Sequence, residues 1–317
     1  MKALFRFILF VFLFSSVASA TTVYDKFSDE TFRKIDNSLT IHIIPSTYPL
    51  NWTTPRSLLF SIIKNKYFFP KTNHFIGHVS AELNCTINGK KERLFMGQSS
   101  NSLDGFRDFI LQGYGFSLLN MPTNNYDDVP LLTVPGKLDQ VEGSSQHFDD
   151  LISSDVFGLL SFRIKQKDCE ATAEFMKEYH QRTLNNQGAG NNYGFGADPI
   201  KFQGAGCAPF VQTLFETSQL FDFSKEMNQV VYLPNSLLGN PKNGKKVGLW
   251  TLLTSNLDMS VKDKKTRTFS FPDPQLLFEK LNSIYSGKEK AGATLVQKGL
   301  IGNRAPYVIL DMTLSTN

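Results

Sequence analysis

Two residues have types and placement that could do chemistry together: Cys207 and His78. Cys207 follows Gly204-Ala205-Gly206 and opens the run Ala208-Pro209-Phe210-Val211. Phe210, Val211, Leu214 and Phe215 recur at helical spacing, and Pro209 falls in a first turn, where its missing N–H does no harm. The spacing therefore sets Cys207 at a helix N-terminus, where free N–H groups and the helix dipole favour a thiolate. The same N–H groups can stabilise an oxyanion formed beside the sulfur. Gly206 lets the backbone turn tightly and a substrate approach closely, which makes it a candidate binding position. A nucleophilic thiol also needs a proton acceptor. His78, in Gly77-His78-Val79, projects from an extended run and is the candidate base.

A third polar group would fix the imidazole tautomer. The runs His74–Ile87 and Arg93–Ser99 flank Asn88-Gly89, a strong signal for a two-residue hairpin turn. With Ile87 opposite Lys90, His78 faces Ser99 and Gln98 lies opposite Val79. A bulge of one residue would bring Gln98 alongside His78. Glu82 shares the His78 face but stands roughly 13 Å away along the strand. Gln98 is therefore the preferred third residue. Tyr193, on a Gly/Asn loop before the cysteine, is a candidate for lining the site or donating to an oxyanion, with packing as the competing role. Cys207 itself has competing readings: a buried structural thiol, or half of a disulfide with Cys85 or Cys169.

The elements that must position these residues follow from periodicity. Thr40–Ile44, Val156–Lys165, Val230–Leu233 and Tyr307–Leu314 read as strands, and Leu131–Val134 as a local one. Residues 57–66 carry apolar positions at helical spacing. A longer helix is expected from Cys169 to Leu184, with Asp168 as its N-cap, and another over Pro274–Tyr285. Residues 100–150, 185–196 and 234–246 are rich in Gly, Asn, Pro or Lys and read as loops.

The first 20 residues have the pattern of a secretory signal peptide: Lys2 and Arg6, an apolar run from Phe7 to Phe14, then Ala18-Ser19-Ala20. The apolar run is shorter than the roughly 20 residues of a membrane span. Export, to a periplasm or the exterior, with no stable membrane insertion after cleavage, is the expectation. Removing that segment takes the net charge from +4 to +2, because Lys2 and Arg6 are its only charged residues. So balanced a chain argues against a nucleic-acid partner. No G-x-S-x-G elbow and no nucleotide-binding glycine loop occurs, and His74 and His180 have no partners at metal-ligand spacing. His42 and His147 read as surface or structural residues. Neither a metal nor a cofactor is implied. With 28 Phe, a sizeable core can form. Three cysteines in a secreted chain leave at least one thiol unpaired within it.

Gly77-His78-Val79-Ser80-Ala81-Glu82 on a strand, followed much later by Gly206-Cys207-Ala208-Pro209-Phe210-Val211 opening a helix, resembles the circularly permuted papain-like proteins. These include permuted relatives of NlpC/P60 peptidases and lecithin:retinol acyltransferase. The Asn192-Tyr193-Gly194 loop also resembles DUF4105-like exported bacterial proteins. The matching motifs cover about residues 74–99 and 190–221. The resemblance implies an α+β fold with an antiparallel sheet, a Cys-bearing helix and a C-terminal extension. With the signal peptide read at 1–20, the chain divides into an N-terminal extension at 21–56, a core resembling that family at 57–225 and a C-terminal extension at 226–317. The resemblance also implies Cys207 as nucleophile, His78 as base and Gln98 as third residue. With Cys207 free, Cys85 and Cys169 can pair; a Cys207–Cys85 bridge would instead remove the nucleophile. The expected activity is thiol-dependent attack on an amide or ester bond in a peptide or acyl-amide substrate, cell-wall peptides among them. The alternative is an exported binding protein that keeps the fold without the chemistry. The oligomeric state is not encoded in any feature of the sequence.

Overall fold

The computed structural model describes residues 21–72, 74–101, 104–121, 126–139, 144–290 and 293–313, and the expected export signal lies outside them. The chain begins with α1 (Val23–Glu30), β1 (Ser38–Ile44), α2 (Pro55–Ile63), β2 (His78–Ile87), β3 (Lys90–Ser100), α3 (Asp104–Gln112) and β4 (Val134–Asp139). It continues with α4 (Ser144–Ser153), β5 (Gly158–Arg163), α5 (Gln166–Leu184), β6 (Asn192–Tyr193), α6 (Cys207–Thr217) and α7 (Phe221–Glu226). The last elements are β7 (Asn228–Pro234), α8 (Leu249–Thr254), β8 (Thr266–Pro272), α9 (Pro274–Ser286), β9 (Thr294–Ile301) and β10 (Ala305–Asp311).

Eight strands form one sheet in the order β6-β4-β3-β2-β1-β5-β10-β9. β1 and β2 alternate apolar with polar residues, yet both of their faces are buried, so Thr40, His42, Ser80 and Glu82 lie in the interior; β10 is apolar at nearly every position, as a strand covered on both faces commonly is. Leu39, Ile41 and Ile43 of β1 join Val79, Ala81 and Leu83 of β2 in a core shared with α5, α6 and α9. The opposite face packs Leu159, Tyr307 and Ile309 against Tyr24 of α1 and Phe148, Leu151 and Ile152 of α4. A second sheet, the antiparallel pair β7–β8, closes a separate core with α2 and α8.

The sheet is mixed, where an antiparallel one was expected, because β10 runs parallel to β5. The segment 226–317 is likewise more than an extension packed on a core, since β9 and β10 complete the same sheet that carries His78. The α5 helix starts earlier than the spacing predicted. Its N-cap is Lys165, whose side chain does not cap the helix, and Asp168 sits in the first turn, where a carboxylate meets the positive end of the helix dipole.

Asn88 (φ 50°) and Gly89 (φ 76°) make the predicted tight turn, and Ile87 pairs with Lys90. The β2–β3 register then runs without a bulge up to Ser80 opposite Gly97. Cys85 of β2 and Cys169 of α5 form a disulfide that ties the hairpin to the helix across the core. Its loop spans a sequence separation of 84. Reducing the unfolded chain's freedom over such a loop stabilises by about 2–5 kcal/mol. The double variant C85A/C169A is expected to lose about that much in urea unfolding followed by circular dichroism.

Candidate active site

The geometry of the site starts from the hairpin register. His78 opens β2, two residues before Ser80, and Asp139 closes β4, paired with Gly97 of β3. Directly paired residues share a face, so Asp139 and Ser80 meet above Gly97. That position must be glycine: a Cβ there would lie 2.4 Å from Asp139 Oδ2 and 2.7 Å from Ser80 Cβ. With the space open, Asp139 Oδ2 stands 2.9 Å from His78 Nε2. Ser99, also on this face, donates to Asp139 Oδ1 at 2.6 Å.

Cys207 is the first residue of α6, capped only by Gly206 in an extended conformation with no side-chain bond. Ahead of it, Gly194 N donates to Ala205 O and Ala205 N to Asn192 O, so the glycine lead-in runs beside β6. Gly204 (φ +123°) allows that approach, since a Cβ would sit 2.4 Å from Asn192 O. This pairing delivers Tyr193 to the cysteine, with its hydroxyl 3.8 Å from Cys207 Sγ and donating to it. The Cys207 amide acts on the Tyr193 hydroxyl, and the Val79 amide favours the charged form of the sulfur. The His78 imidazole and the sulfur favour each other's charged form as well. With Nε2 held by Asp139, Nδ1 is the ring atom left for the sulfur.

Cys207 and His78 are each 7% exposed, and in so little water their charges depend on one another. Burial alone would discharge His78, but the sulfur and then Asp139 outweigh it and push the imidazole up to about 10. Burial would raise the Cys207 thiol, but the His78 charge, the Val79 amide and the Tyr193 hydroxyl hold it below the usual thiol range. Burial likewise opposes the Asp139 carboxylate, and His78 and Ser99 hold it below its ordinary value. Burial and the adjacent sulfur keep Tyr193 protonated, a neutral donor well above the usual phenol range. The three groups thus favour one another's charged forms: thiolate beside imidazolium beside carboxylate.

Gln98 does not touch His78. Without a bulge it points to the other face, where Tyr179 of α5 donates to its Oε1 at 2.5 Å and its Nε2 donates to Asn192 O at 2.5 Å. It fixes the backbone of β6, and the residue on the imidazole is Asp139. Glu82 is also occupied elsewhere, bound by Arg93 at 2.8 and 2.9 Å and by Arg33 at 3.2 Å. Asp139 escaped notice because it lies in a stretch whose composition reads as loop; the strand expected at Leu131–Val134 begins at Val134 instead. His74 is a second addition. Its ring stacks on His78 with centroids 4.4 Å apart and planes at 16°. Burial and the neighbouring His78 charge push it down to about 3, so it packs as a neutral ring. His147 of α4 follows at 5.9 Å from His74. Among the described residues no cluster of His, Cys, Asp or Glu is arranged to hold a metal.

Two surface cavities of about 660 and 610 Å³ lie along residues 111–114 with 241–248, and along residues 48–53 with 229–231. Neither is lined by Cys207, His78 or Asp139. No protein-family model, curated protein or solved structure matches the chain.

A thiolate held by this pair should stay reactive in mild acid. An ordinary thiol, with pKa about 8.5, slows on the order of 100-fold between pH 8 and pH 6. Alkylation of Cys207 by iodoacetamide is expected to slow less than about threefold over that range. Asp139→Asn withdraws one of the charges that keeps His78 protonated. The thiol pKa then rises, and the pH 6 rate falls by about tenfold or more, one pKa unit being tenfold. Gly97→Val, which displaces the carboxylate without removing it, should reproduce the effect.

Proposed function

We propose that this protein is an exported cysteine hydrolase or acyltransferase that acts on amide or ester carbonyls, with a permuted papain-like core. The observation that carries the reading is the Cys207–His78–Asp139 line, with a helix N-terminus behind the sulfur. The Cys207 sulfur adds to the carbonyl carbon, forming a C–S bond and a tetrahedral oxyanion. The Cys207 amide and the neutral Tyr193 hydroxyl, already beside the sulfur, are the donors for that oxygen. As the intermediate collapses, the imidazolium of His78 gives its proton to the departing amine or alkoxide, leaving a thioester and a neutral ring. Water or an amine then attacks the thioester while His78 takes its proton, and the thiolate leaves. Asp139 holds the ring in one orientation and supports its charge in both half-reactions.

Export accords with the Cys85–Cys169 disulfide, a bond rare in reducing cytosol. It also accords with the leader pattern of residues 1–20. No helix among the described residues is long and apolar enough to cross a membrane. Peptides, including those of cell walls, and acyl amides are the substrate classes this chemistry admits. One observation favours the alternative of a non-catalytic binding protein: Cys207 and His78 are each only 7% exposed, so substrate has to displace covering groups to reach them.

The two readings part on a covalent intermediate. Incubation with p-nitrophenyl acetate is expected to leave an acetyl thioester on Cys207, located by peptide mass mapping. It should release nitrophenolate at least about 10³-fold faster than Cys207→Ala. Equal release by that variant, with no acylated Cys207, would leave the binding protein as the reading.

A further inference from the structure

Between Asn37 and Ala81 the sequence holds no acidic residue, while Arg56, Lys64, Lys66 and Lys71 all fall inside that stretch. Its middle forms a surface of unusual make-up. The α2 helix turns its apolar side inward, with Leu58 and Leu59 in the second core. It then runs on as a π-turn, Lys64–Phe68, in which the Phe69 amide donates to Lys64 O. At the end of this turn three consecutive aromatic residues face solvent: Tyr67 is 66% exposed, Phe68 70% and Phe69 50%.

This exposure is built into the fold. Asn65 is 1% exposed; its side chain accepts from the Tyr48 amide at 2.6 Å and donates to Tyr48 O at 2.7 Å. These bonds lock the π-turn to the preceding segment. The Tyr48 ring then stacks on Phe69, with centroids 6.3 Å apart and planes at 14°. The lysines lie along the rings: the Lys64 ammonium is 4.6 Å from the Tyr48 centroid, and that of Lys66 is 5.3 Å from Tyr67. The charged heads themselves lie over aromatic faces, and both lysines are exposed. Rings at an apolar boundary, with ammonium groups at headgroup level, are how interfacial segments sit on bilayers.

We propose that the α2–π-turn tip, with Phe68 and Phe69 as its wedge and Lys64 and Lys66 as its charges, docks this protein on the surface of a phospholipid bilayer bearing anionic headgroups. The charge selects the occupant. A partner protein could cover the rings, but an acid-free stretch this long with four cations fits a uniformly negative surface. Three adjacent rings pointing outward suit a deformable apolar layer. Phe69 precedes His74, whose ring stacks on His78, by five residues, each spanning at most about 3.6 Å, so the backbones of Phe69 and His74 lie within about 18 Å.

The test is co-sedimentation of the purified protein, freed of residues 1–20, with phosphatidylcholine vesicles and with mixed phosphatidylcholine–phosphatidylglycerol vesicles. Pelleting with the mixed vesicles is expected, weak pelleting with the neutral ones, and loss of binding near 0.5 M salt, where the Debye length is roughly 4 Å. F68S/F69S and K64E/K66E should each weaken binding by about tenfold or more, with unchanged melting midpoints because the substituted side chains are exposed. Cys207→Ala should pellet like wild type, so docking and catalysis are read separately. Three results would each overturn the proposal: failure of the wild-type protein to pellet with the mixed vesicles, equal pelleting by both variants, or a dimer in solution that F68S/F69S dissolves.

Discussion

A positive imidazole almost sealed from water stays charged only where negative groups stand on both sides of it. His78 meets that condition, with the Cys207 sulfur on one side and Asp139 on the other. The rest of the site can be traced from it. The carboxylate needs an empty place over the neighbouring strand, which Gly97 leaves. The sulfur needs unsatisfied N–H groups behind it, which the start of α6 and the Val79 amide supply. Tyr193 needs a short strand beside the glycine lead-in, and Gln98 braces that strand from the far face of the sheet.

His42 makes the comparison within the same molecule. It is paired with Ser80, two residues along from His78, and is completely buried. Here burial wins, and the ring is pushed down to about 4. Glu82 would support a charge, but Arg93 and Arg33 both bind that carboxylate and cancel its effect on the ring. The ring instead bonds to the Tyr24 hydroxyl at 2.5 Å, joining α1 to the sheet. Two histidines on neighbouring strands therefore carry opposite charge states. The difference lies in whether the nearby anions are already neutralised: one ring is held charged beside a sulfur, the other neutral against Tyr24.

The sequence signalled those features that depend on local geometry. The Asn88-Gly89 turn specifies its own register, and Pro209 with the apolar periodicity specifies where α6 begins, so Cys207 and His78 were visible as a pair. Asp139 was not, because a strand of six residues ending in a carboxylate has no periodicity of its own and owes its place to pairing with β3. The attraction of Gln98 rested on a bulge; the regular register sends it to the opposite face, where Tyr179 and Asn192 use both ends of its amide. The division at residue 226 failed for a related reason. Membership of a sheet is decided by a partner far away in sequence, and β10 finds β5, more than a hundred residues earlier.

That last pairing affects how the molecule comes into being. With β10 absent, β5 would present a bare row of amides and carbonyls along a long apolar edge, a template for another chain. The strand that covers it comes later in the chain than every other strand of the sheet. The protein must therefore spend its synthesis with an unfinished sheet, and sheets closed by so distant a contact assemble slowly. The edge of β5 stays open until residues 305–311 pair with it.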